Sequence, residues 1–511
     1  WTASIIIEDV RKGDVLEYSY SLTGNNPAFN GEVSHLSYLQ WGVGVHKLVN
    51  RVLWPNDKRI LLTKNHLLKD ISIIEHEDYK EFTLSSDDNL ILRVDGETPD
   101  WFDPWARVNY SSVTEWSDVV NWAVPHYKIN TAILSKVDAI AENIRNTYEN
   151  KLDRVSAALH FVQDDIRYLG IEIGVGGYIP SSPDITLKRR YGDCKDKTFL
   201  LLNILKLLDV EAYPVLANTD YGESLGDDGP RLKAFNHVLT TAIVNGTEYW
   251  LDPTINSQKG DIDNIHQPDY EQALVIKEGN DSLISMALDQ PHDFVVYNDE
   301  YDLRNGLNKE SIFTVNSVFR GKEAENFRRR LNSSGKGKVF KGYLDYYNKY
   351  YSKIESSAEA YINDNHDDNR ITVEEKYRVP NIWEEISDNN SYEAIFYTYA
   401  IKPYLKTPEV INRNSPFEFF YPLNVEQNIT VFLPGKWNLE GEGFQLKTKF
   451  FNYSDKVSYD ESNKILTIKY KFSSLKKYIH QDEIPEYIEA NEKSKNKINY
   501  GINKTSKMHI K

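Results

Sequence analysis

The single cysteine of the chain, Cys194, stands where a thiol could be made reactive. It follows Gly192 and Asp193 and comes just before the strongly apolar segment 199–208. This order predicts a buried helix with Asp193 as N-cap, and Gly192 would give the loop the freedom to turn into it. The N-terminus of a helix stabilises a thiolate, the nucleophilic form of cysteine. A nucleophile is one interpretation, and a small buried apolar side chain is the other.

A histidine and an aspartate further along the chain could serve this thiol. His237 begins one strand-like segment and Asp252 ends the next, with the strong turn signal Asn245-Gly246 between them. With a two-residue turn, the two side chains lie on one face as diagonal neighbours, close enough for a hydrogen bond. A four-residue loop would keep them on one face but farther apart, and a three-residue loop would place them on opposite faces.

Thiol, imidazole and carboxylate would supply a nucleophile, a general acid–base and an orienting group. The helix N–H groups beside Cys194 could also stabilise an oxyanion on an attacked carbonyl. Taken singly, a surface His237 and a turn-forming Asp252 before Pro253 are simpler interpretations. Taken together with Cys194, the two residues favour a Cys-His-Asp triad.

Length and composition restrict the class of protein. The 511 residues suffice for roughly three domains, and 40% hydrophobic with 27% charged residues is typical of folded chains. A net charge of −16 argues against a surface built to bind nucleic acid or anionic lipid. No apolar run reaches the length of about 18 residues needed for membrane insertion. One cysteine excludes a disulfide framework and a cysteine-rich metal site, and no cofactor or metal is expected.

Hydrophobic periodicity predicts the elements that must position these residues. Period-two alternation predicts strands at 16–22 and 34–41, and apolar runs at 59–63 and 89–94 fit the same β-rich region. Three-to-four spacing predicts helices within 130–150, 152–166 and 321–351. The tail from Pro485 predicts at most a short amphipathic helix before a frayed end. Further strands are predicted over 210–217, 237–244, 248–254, 370–379, 428–433 and 466–472.

The motifs around the three candidate residues resemble a known family. GDCKDK (192–197), NHV (236–238) and WLDPT (250–254) are together similar to the transglutaminase-like superfamily, and the stretch 166–190 resembles the same core. The N-terminal segment DVRKGDVLEYSYSLTGNNP (9–27) resembles DUF3857, a bacterial domain of unknown function that accompanies this core. The resemblance is strong over about residues 150–275, fair over 1–125 and weak beyond 300.

The resemblance implies an α+β, multidomain chain with a papain-like core. In such a core the cysteine lies at a helix N-terminus packed against a sheet that bears the histidine and the aspartate. The N-terminal domain starts late compared with the family, so its first strands are expected to be missing from this chain. The expected domains are a β-rich DUF3857-like domain over 1–125, a transglutaminase-like α+β core over 126–275 and a β-rich domain with helices over 276–511.

The family's catalytic residues correspond to Cys194, His237 and Asp252. The implied reaction is acyl transfer on a peptide or protein amide through a thioester, resolved by water in a protease or amidase and by an amine in a transglutaminase. The backbone N–H of Cys194 is one oxyanion donor, with Tyr168 and Gln163 as candidates for the second. The alternative is a non-catalytic scaffold that retains the core. Oligomeric state is not indicated.

Secondary candidates carry weaker signals. Tyr178, Tyr191 and Trp250 would either line the cleft or pack in the core. Asp196 and Lys197 are expected to hold the loop around the cysteine rather than to react.

Three further motifs could bind an ion or a phosphate, but each has a simpler structural interpretation. The acidic patch 364–368 is a calcium site or, more simply, an exposed turn, since it lacks the spacing of an EF-hand loop. GVGG (174–177) is a poor phosphate loop, and RRR (328–330) is expected on a solvated helix face.

The missing initial Met and the resemblance favour an extracytoplasmic location, in the bacterial periplasm or secreted.

Overall fold

The computed structural model describes residues 4–65, 71–89, 91–129, 135–170, 172–286, 288, 294–307, 309–387 and 391–505. Over these residues the chain is a multidomain α+β protein, which confirms the expected fold class. The expected boundaries near 125 and 275 stay predictions. None of the described helices combines the length and the apolar character required to cross a bilayer.

The N-terminal region contains two three-stranded antiparallel sheets, in the orders β1-β6-β3 and β2-β5-β4. Trp54 and Phe82 of one sheet and Val108 and Tyr110 of the other share a single apolar core. Burial of these large side chains from both sheets holds the layers together. The strands are β1 Ser34–Tyr38, β2 Val45–Pro55, β3 Leu61–Lys64, β4 Ser72–Glu75, β5 Tyr79–Asn89 and β6 Arg107–Ser111.

The prediction of a strand at 16–22 is wrong. The segment forms no strand, and its apolar side chains are exposed, Leu22 by 90%. Alternation creates two faces, but a strand also needs a hydrogen-bonded neighbour, and none of the described strands pairs with this segment. Residues 91–94 of the predicted 89–94 run form no strand either, and residue 90 lies outside the described residues.

The central region packs a helical layer against an antiparallel sheet of order β11-β10-β9-β12-β13. The predicted buried helix is α5, and every residue from Cys194 to Leu205 is buried in it. An all-round apolar helix of this kind belongs in the centre of a core. The helices are α1 Trp116–Ala123, α2 Ser135–Thr147, α3 Lys151–Asp165, α4 Pro183–Arg189 and α5 Cys194–Leu207. The strands are β7 Arg167–Tyr168, β8 Tyr191–Gly192, β9 Glu211–Ala217, β10 His237–Val244, β11 Thr247–Leu251, β12 Gln272–Val275 and β13 Ile284–Ser285.

The predicted helices and the predicted hairpin are both present in this region. Helices α2 and α3 bury the periodic apolar positions, although residues 130–134 of the predicted 130–150 helix lie outside the described residues. In the hairpin, Thr240 pairs with Leu251 and Val244 pairs with Thr247, so Asn245-Gly246 is a two-residue turn. Both turn residues have positive φ, 52° and 86°, as a type I′ turn requires.

The C-terminal region is built on a nine-stranded sheet of order β16-β18-β15-β14-β22-β25-β24-β23, with β17 beside β18. Only β14 and β22 pair in parallel in this sheet as described. Helices α6 Lys322–Ser334 and α7 Lys336–Tyr347 fall within the predicted 321–351 segment. The strands of the sheet are β14 Phe294–Asp302, β15 Ser311–Arg320, β16 Glu355–Ser356, β17 Tyr361–Asn365, β18 Arg370–Val379, β22 Asn424–Phe432, β23 Glu442–Lys447, β24 Phe451–Asp460 and β25 Ile465–Ser474.

The tail is more ordered than its polar composition predicts. Helix α8, Ile484–Lys495, buries Tyr487 and Asn491 completely. After the helix, residues 500–505 are not frayed but pair with residues 391–396, and the rest of the predicted frayed end, 506–511, lies outside the described residues. Tyr487 and Asn491 both donate hydrogen bonds to the carbonyl oxygen of Lys406, which fixes the helix. The remaining strands are β19 Glu384–Ser387, β20 Ser391–Phe396, β21 Phe417–Glu418, β26 Tyr478–Ile479 and β27 Tyr500–Thr505.

Candidate active site

Cys194 is the first residue of α5 and lies at the floor of a cavity of about 250 Å³. The carboxylate of Asp193 caps the helix by accepting hydrogen bonds from the N–H groups of Lys195, at 3.1 Å, and Asp196, at 3.2 Å. The predicted N-cap is therefore present, and it occupies the two N–H groups that follow the cysteine. The N–H of Cys194 is not one of the two groups that Asp193 caps, and as a first-turn N–H it has no acceptor within the helix, so it can serve an anion.

Gly192 is required by close packing rather than by an unusual backbone conformation. A Cβ atom at this position would lie 2.6 Å from Cβ of Asp196 and 3.3 Å from a methyl group of Thr186. The φ angle of Gly192 is not positive, so the loop does not depend on the conformational freedom that the sequence predicted for this glycine. The glycine lets the strand before Cys194 approach the first turn of α5.

His237 lies next to both the thiol and the carboxylate. Its Nε2 lies 2.7 Å from Oδ2 of Asp252, and its side chain lines the same cavity as Cys194. Burial lowers the pKa of His237, but the charge and hydrogen bond of Asp252, with the contribution of Cys194, outweigh it and raise the pKa to about 10. The charged form of the imidazole is thus favoured beside the Asp252 carboxylate.

Asp252 is both a turn former and the partner of the histidine. Its Oδ1 accepts hydrogen bonds from the backbone N–H of Thr254 at 2.8 Å and from the Thr254 hydroxyl at 2.6 Å, while Oδ2 faces His237. Burial favours the neutral acid, but the neighbouring His237 and the Thr254 hydrogen bonds hold the pKa of Asp252 below its usual range. The two interpretations of Asp252 from the sequence are thus compatible.

Tyr270, which the sequence did not single out, completes the surroundings of this pair. Its hydroxyl donates to Oδ2 of Asp252 at 3.0 Å, and its ring lies edge-on to the His237 imidazole with centroids 5.3 Å apart. It comes from the irregular segment before β12, where no periodicity or motif marks it. Only the packing of that segment onto the hairpin brings the ring to the site.

The two candidates for a second oxyanion donor differ in availability. Both N–H groups of the Gln163 amide are engaged, one with the carbonyl oxygen of Asp252 at 2.9 Å and one with Oε1 of Gln258 at 2.7 Å. Gln163 therefore holds the backbone of Asp252 and has no donor left for an oxyanion. Tyr168 is partly exposed, and burial together with the charge of Cys194 raises its pKa to about 12, so its hydroxyl keeps its proton and remains the candidate donor.

Asp196 and Lys197 make structural contacts, as expected from the sequence. Asp196 accepts a hydrogen bond from the N–H of Ser181 at 2.6 Å and pairs with Arg189, which ties the glycine- and proline-rich loop to α5. The Lys197 side chain is fully buried, and its Nζ donates to the carbonyl oxygen of Ile166 at 2.6 Å. Desolvation lowers the pKa of Lys197 to about 8.

The aromatic candidates separate into one cleft residue and two packing residues. Tyr178 lines the cavity beside Cys194. Trp250 packs in a core cluster with Val215 and Leu239, and Tyr191 lies under the guanidinium of Arg189 at 4.9 Å.

Larger cavities of about 540 and 730 Å³ occur elsewhere, but neither Cys194 nor His237 lines them, so size alone does not locate the site.

Of the remaining motifs, Gly177 of GVGG lines this cavity, whereas no residue of RRR or of the acidic patch does. In RRR, Arg329 and Arg330 are exposed as expected, whereas Arg328 is buried and binds Asp364 at 2.7 Å and Asn369 at 2.6 Å. The acidic patch is the turn after β17, where Asn365 caps the backbone. Within the described residues no three His, Cys, Asp or Glu side chains are grouped to hold a metal ion. GVGG forms a short 3-10 turn.

Comparison with known families finds a match for the N-terminal part of the chain. Residues 2–89 match the family model described as a domain of unknown function with a solved structure, DUF3857. This match covers part of the 1–125 domain expected from the sequence. Among curated proteins, none shows significant similarity to the chain.

Solved structures extend the similarity to the whole fold. A protein from Parabacteroides distasonis, named a putative protease, is 10% identical and superposes with a TM-score of 0.58 over 92% of this chain and 75% of its own. A putative cysteine protease from Cytophaga hutchinsonii (13% identity, TM-score 0.20, 44% of this chain and 74% of its own) is far more distant. The periplasmic domain of TgpA from Pseudomonas aeruginosa is equally distant, with 13% identity and a TM-score of 0.19 over 40% of this chain and 69% of its own. At 10% identity the first similarity concerns the fold, so the reaction has to be argued from the residues.

Proposed function

We propose that the chain is a thiol-dependent acyl-transfer enzyme that acts on peptide or protein amides through Cys194, His237 and Asp252. The observation that carries the proposal is the position of His237, whose imidazole is hydrogen-bonded to the carboxylate of Asp252 and lines the same cavity as Cys194. These three groups come from two segments of the chain and converge beside one cavity. A cationic imidazole is the counter-ion that a nucleophilic thiolate needs.

In the proposed reaction the thiolate of Cys194 attacks the amide carbonyl carbon, and the carbonyl electrons move onto oxygen. The N–H of Cys194 stabilises this oxyanion, with the Tyr168 hydroxyl as the second donor. His237 gives its proton to the departing amine as the C–N bond breaks and the thioester remains. Water then attacks the thioester in hydrolysis, or an amine attacks it in transamidation. His237 takes the proton of the attacking group, the C–S bond breaks and Cys194 leaves as the thiolate. Asp252 orients the imidazole throughout.

The test is capture of the acyl-enzyme. Wild-type protein is incubated with a mixture of peptides, quenched in acid and analysed by intact and tryptic mass spectrometry, with Cys194→Ala as the matched control. An acyl adduct on the peptide containing Cys194, absent from the variant, is the expected result. Peptide turnover that is equal in wild type and Cys194→Ala would overturn the proposal. Adding hydroxylamine or a primary amine then separates hydrolysis from transamidation by the product formed.

The scaffold alternative and the location are tested separately. A scaffold would leave Cys194 with the iodoacetamide reactivity of a free model thiol at pH 6–7, whereas the enzyme reacts faster. The extracytoplasmic location stays a prediction, which fractionation of the native host and the N-terminal sequence of its mature protein would check.

A further inference from the structure

The cavity beside Cys194 has walls that are mainly apolar. Its lining includes Leu216, Leu232 and Phe235, called here the apolar wall, and Trp122, Tyr127 and Tyr178, called here the aromatic wall. Its volume of about 250 Å³ is below the range of about 300–1,000 Å³ that is typical of sites for drug-sized molecules. A space of this size suits a single large side chain.

Charges around the cavity disfavour an acidic occupant. The ammonium group of Lys195 is already paired with the carboxylate of Asp193 at 2.9 Å, and both residues are buried. Glu172 lies exposed at the rim and adds a negative charge there. His237, the other cationic side chain among the described residues that line the cavity, faces the carboxylate of Asp252. An acidic side chain would therefore meet cations that already have carboxylate partners, whereas an apolar one would bury its surface against the walls.

The N-terminal region holds the aromatic wall in place. Phe29 contacts Tyr178 edge-on with ring centroids 4.5 Å apart, and the indole N–H of Trp122 donates to the carbonyl oxygen of Ala28 at 2.7 Å. Asn26 donates from its amide to the carbonyl oxygen of Gly174 at 2.9 Å, which fixes the loop that leads to Tyr178. The segment that makes these contacts lies inside the part of the chain that matches DUF3857.

The same region also holds the loop that carries the apolar wall. Arg107 binds the Asp228 carboxylate at 2.8 Å, and the carbonyl oxygen of Asp228 accepts hydrogen bonds from Thr63 at 2.6 Å and Asn109 at 2.9 Å. Leu232 follows four residues later in the chain. Both walls of the cavity are therefore anchored on the N-terminal region rather than on the central sheet alone.

We propose that this cavity binds a large apolar side chain of the residue whose carbonyl is attacked, and that the N-terminal region sets this specificity by fixing both walls. The inference rests on the proposed function, since it assumes that Cys194 is the attacking group. Cys194 and His237 line the cavity themselves, so the side chain that fills it belongs to the residue at the reacting carbon. The substrate class is thus a peptide or protein with a bulky apolar residue on the acyl side of the scissile bond.

The test compares two active-site reagents that differ only in the side chain, N-acetyl-phenylalanyl and N-acetyl-glycyl chloromethyl ketone. In each, the thiolate sulfur bonds to the methylene carbon as the C–Cl bond breaks and chloride leaves. The Phe/Gly rate ratio is measured by intact mass and divided by the same ratio for glutathione. Iodoacetamide, which carries no side chain, reports the reactivity of the thiol separately.

We expect the corrected ratio to be about tenfold or more in the wild-type protein, because the benzyl group is buried in the cavity. Leu232→Trp, which fills the cavity, should bring the ratio close to one, and Phe29→Leu should lower it by loosening the aromatic wall. Leu53→Trp, at an exposed position on β2, is the matched control and should keep the wild-type ratio. Thermal melting confirms that each variant is folded.

The outcomes distinguish this inference from the proposed function. A corrected wild-type ratio near one, or a ratio that Leu232→Trp does not change, would overturn the specificity pocket even if iodoacetamide reacts rapidly. An unchanged ratio in folded Phe29→Leu would overturn the role of the N-terminal region. Slow iodoacetamide alkylation with a high Phe/Gly ratio would instead count against the activated thiol and leave the pocket in place.

Discussion

The hydroxyl of Tyr270 and the imidazole of His237 bind the same oxygen atom, Oδ2 of Asp252, at 3.0 and 2.7 Å. Tyr270 donates one of the hydrogen bonds that satisfy this buried carboxylate, and its ring covers one side of the imidazole. Tyr270 is therefore a positioning residue, because it acts on the thiol only through Asp252 and His237.

Replacing Tyr270 by Phe removes the hydrogen bond but keeps the ring. Loss of a hydrogen bond to a charged group costs about 1.5–3 kcal/mol, so we expect iodoacetamide alkylation of Cys194 at pH 6 to slow by about tenfold. Tyr249→Phe, which removes a surface hydrogen bond to Asp263 from the same sheet, is the matched control and should not slow it. Equal rates in both variants would show that Tyr270 only packs.

Asp252→Asn tests the charge of the carboxylate at constant shape. The carboxylate is the group that raises the pKa of His237 to about 10 against the effect of burial, so in the variant the imidazole loses its proton at lower pH. We expect alkylation of Cys194 at pH 6–7 to fall by about tenfold or more, since each pKa unit corresponds to a factor of ten. Asp281→Asn, at an exposed position, serves as the control. A pH–rate profile that superposes on the wild type would contradict the role of Asp252.

Buried carboxyls in the C-terminal region should make its stability depend on pH. Burial raises the pKa of Glu375 to about 7, aided by nearby Asp299, although a hydrogen bond from Tyr377 opposes the rise. The folded chain therefore holds this proton more tightly than the unfolded chain, where the pKa is about 4.3. The resulting stabilisation is complete below about pH 4 and is lost as the pH rises through 7.

Glu375→Gln removes this titration with little change of shape. We expect the free energy of unfolding of the wild type to fall by about 1–3 kcal/mol more than that of the variant between pH 5 and pH 8. Glu374→Gln, a half-exposed neighbour on the opposite face of β18, should retain the wild-type slope. Urea unfolding at a series of pH values measures both. If the free energy of unfolding changed with pH by the same amount in Glu375→Gln and in the wild type, the raised pKa of Glu375 would be contradicted.

Asp228→Asn should weaken the attachment of the N-terminal region to the core. Asp228 is buried and pairs with Arg107 at 2.8 Å and Arg231 at 3.5 Å, so the substitution removes one carboxylate partner from each of two buried guanidinium groups, although Arg107 keeps Asp103 at 3.1 Å. We expect a loss of about 3 kcal/mol in the free energy of unfolding, measured by urea denaturation. The neighbouring Asp227 is exposed, and Asp227→Asn should change stability by less than about 0.5 kcal/mol.

The three candidate catalytic residues and their geometry could be predicted because the signals are local. The Asn-Gly turn fixes the register of the hairpin, and this register places His237 and Asp252 on one face before any distant contact is known. The helix start at Cys194 follows from Asp193 and the apolar run behind it. Periodicity likewise predicted α2, α3, α5 and the long strands of the C-terminal sheet.

Contacts between distant segments decided the rest. Alternation at 16–22 did not produce a strand because pairing depends on a neighbour that the alternation itself does not encode. The polar tail became α8 and β27 because Lys406 and β20 supply its hydrogen-bonding partners.

By itself, the sequence determined which side chains could react, and the hairpin register placed two of them, His237 and Asp252, on one face of the sheet. The tertiary structure alone decided that Tyr270 supports Asp252, that Gln163 is unavailable to an oxyanion, and that the N-terminal region shapes the cavity. The physical reason is range: turns, caps and periodicity act over a few residues, whereas burial and shared hydrogen bonds depend on where the whole chain packs.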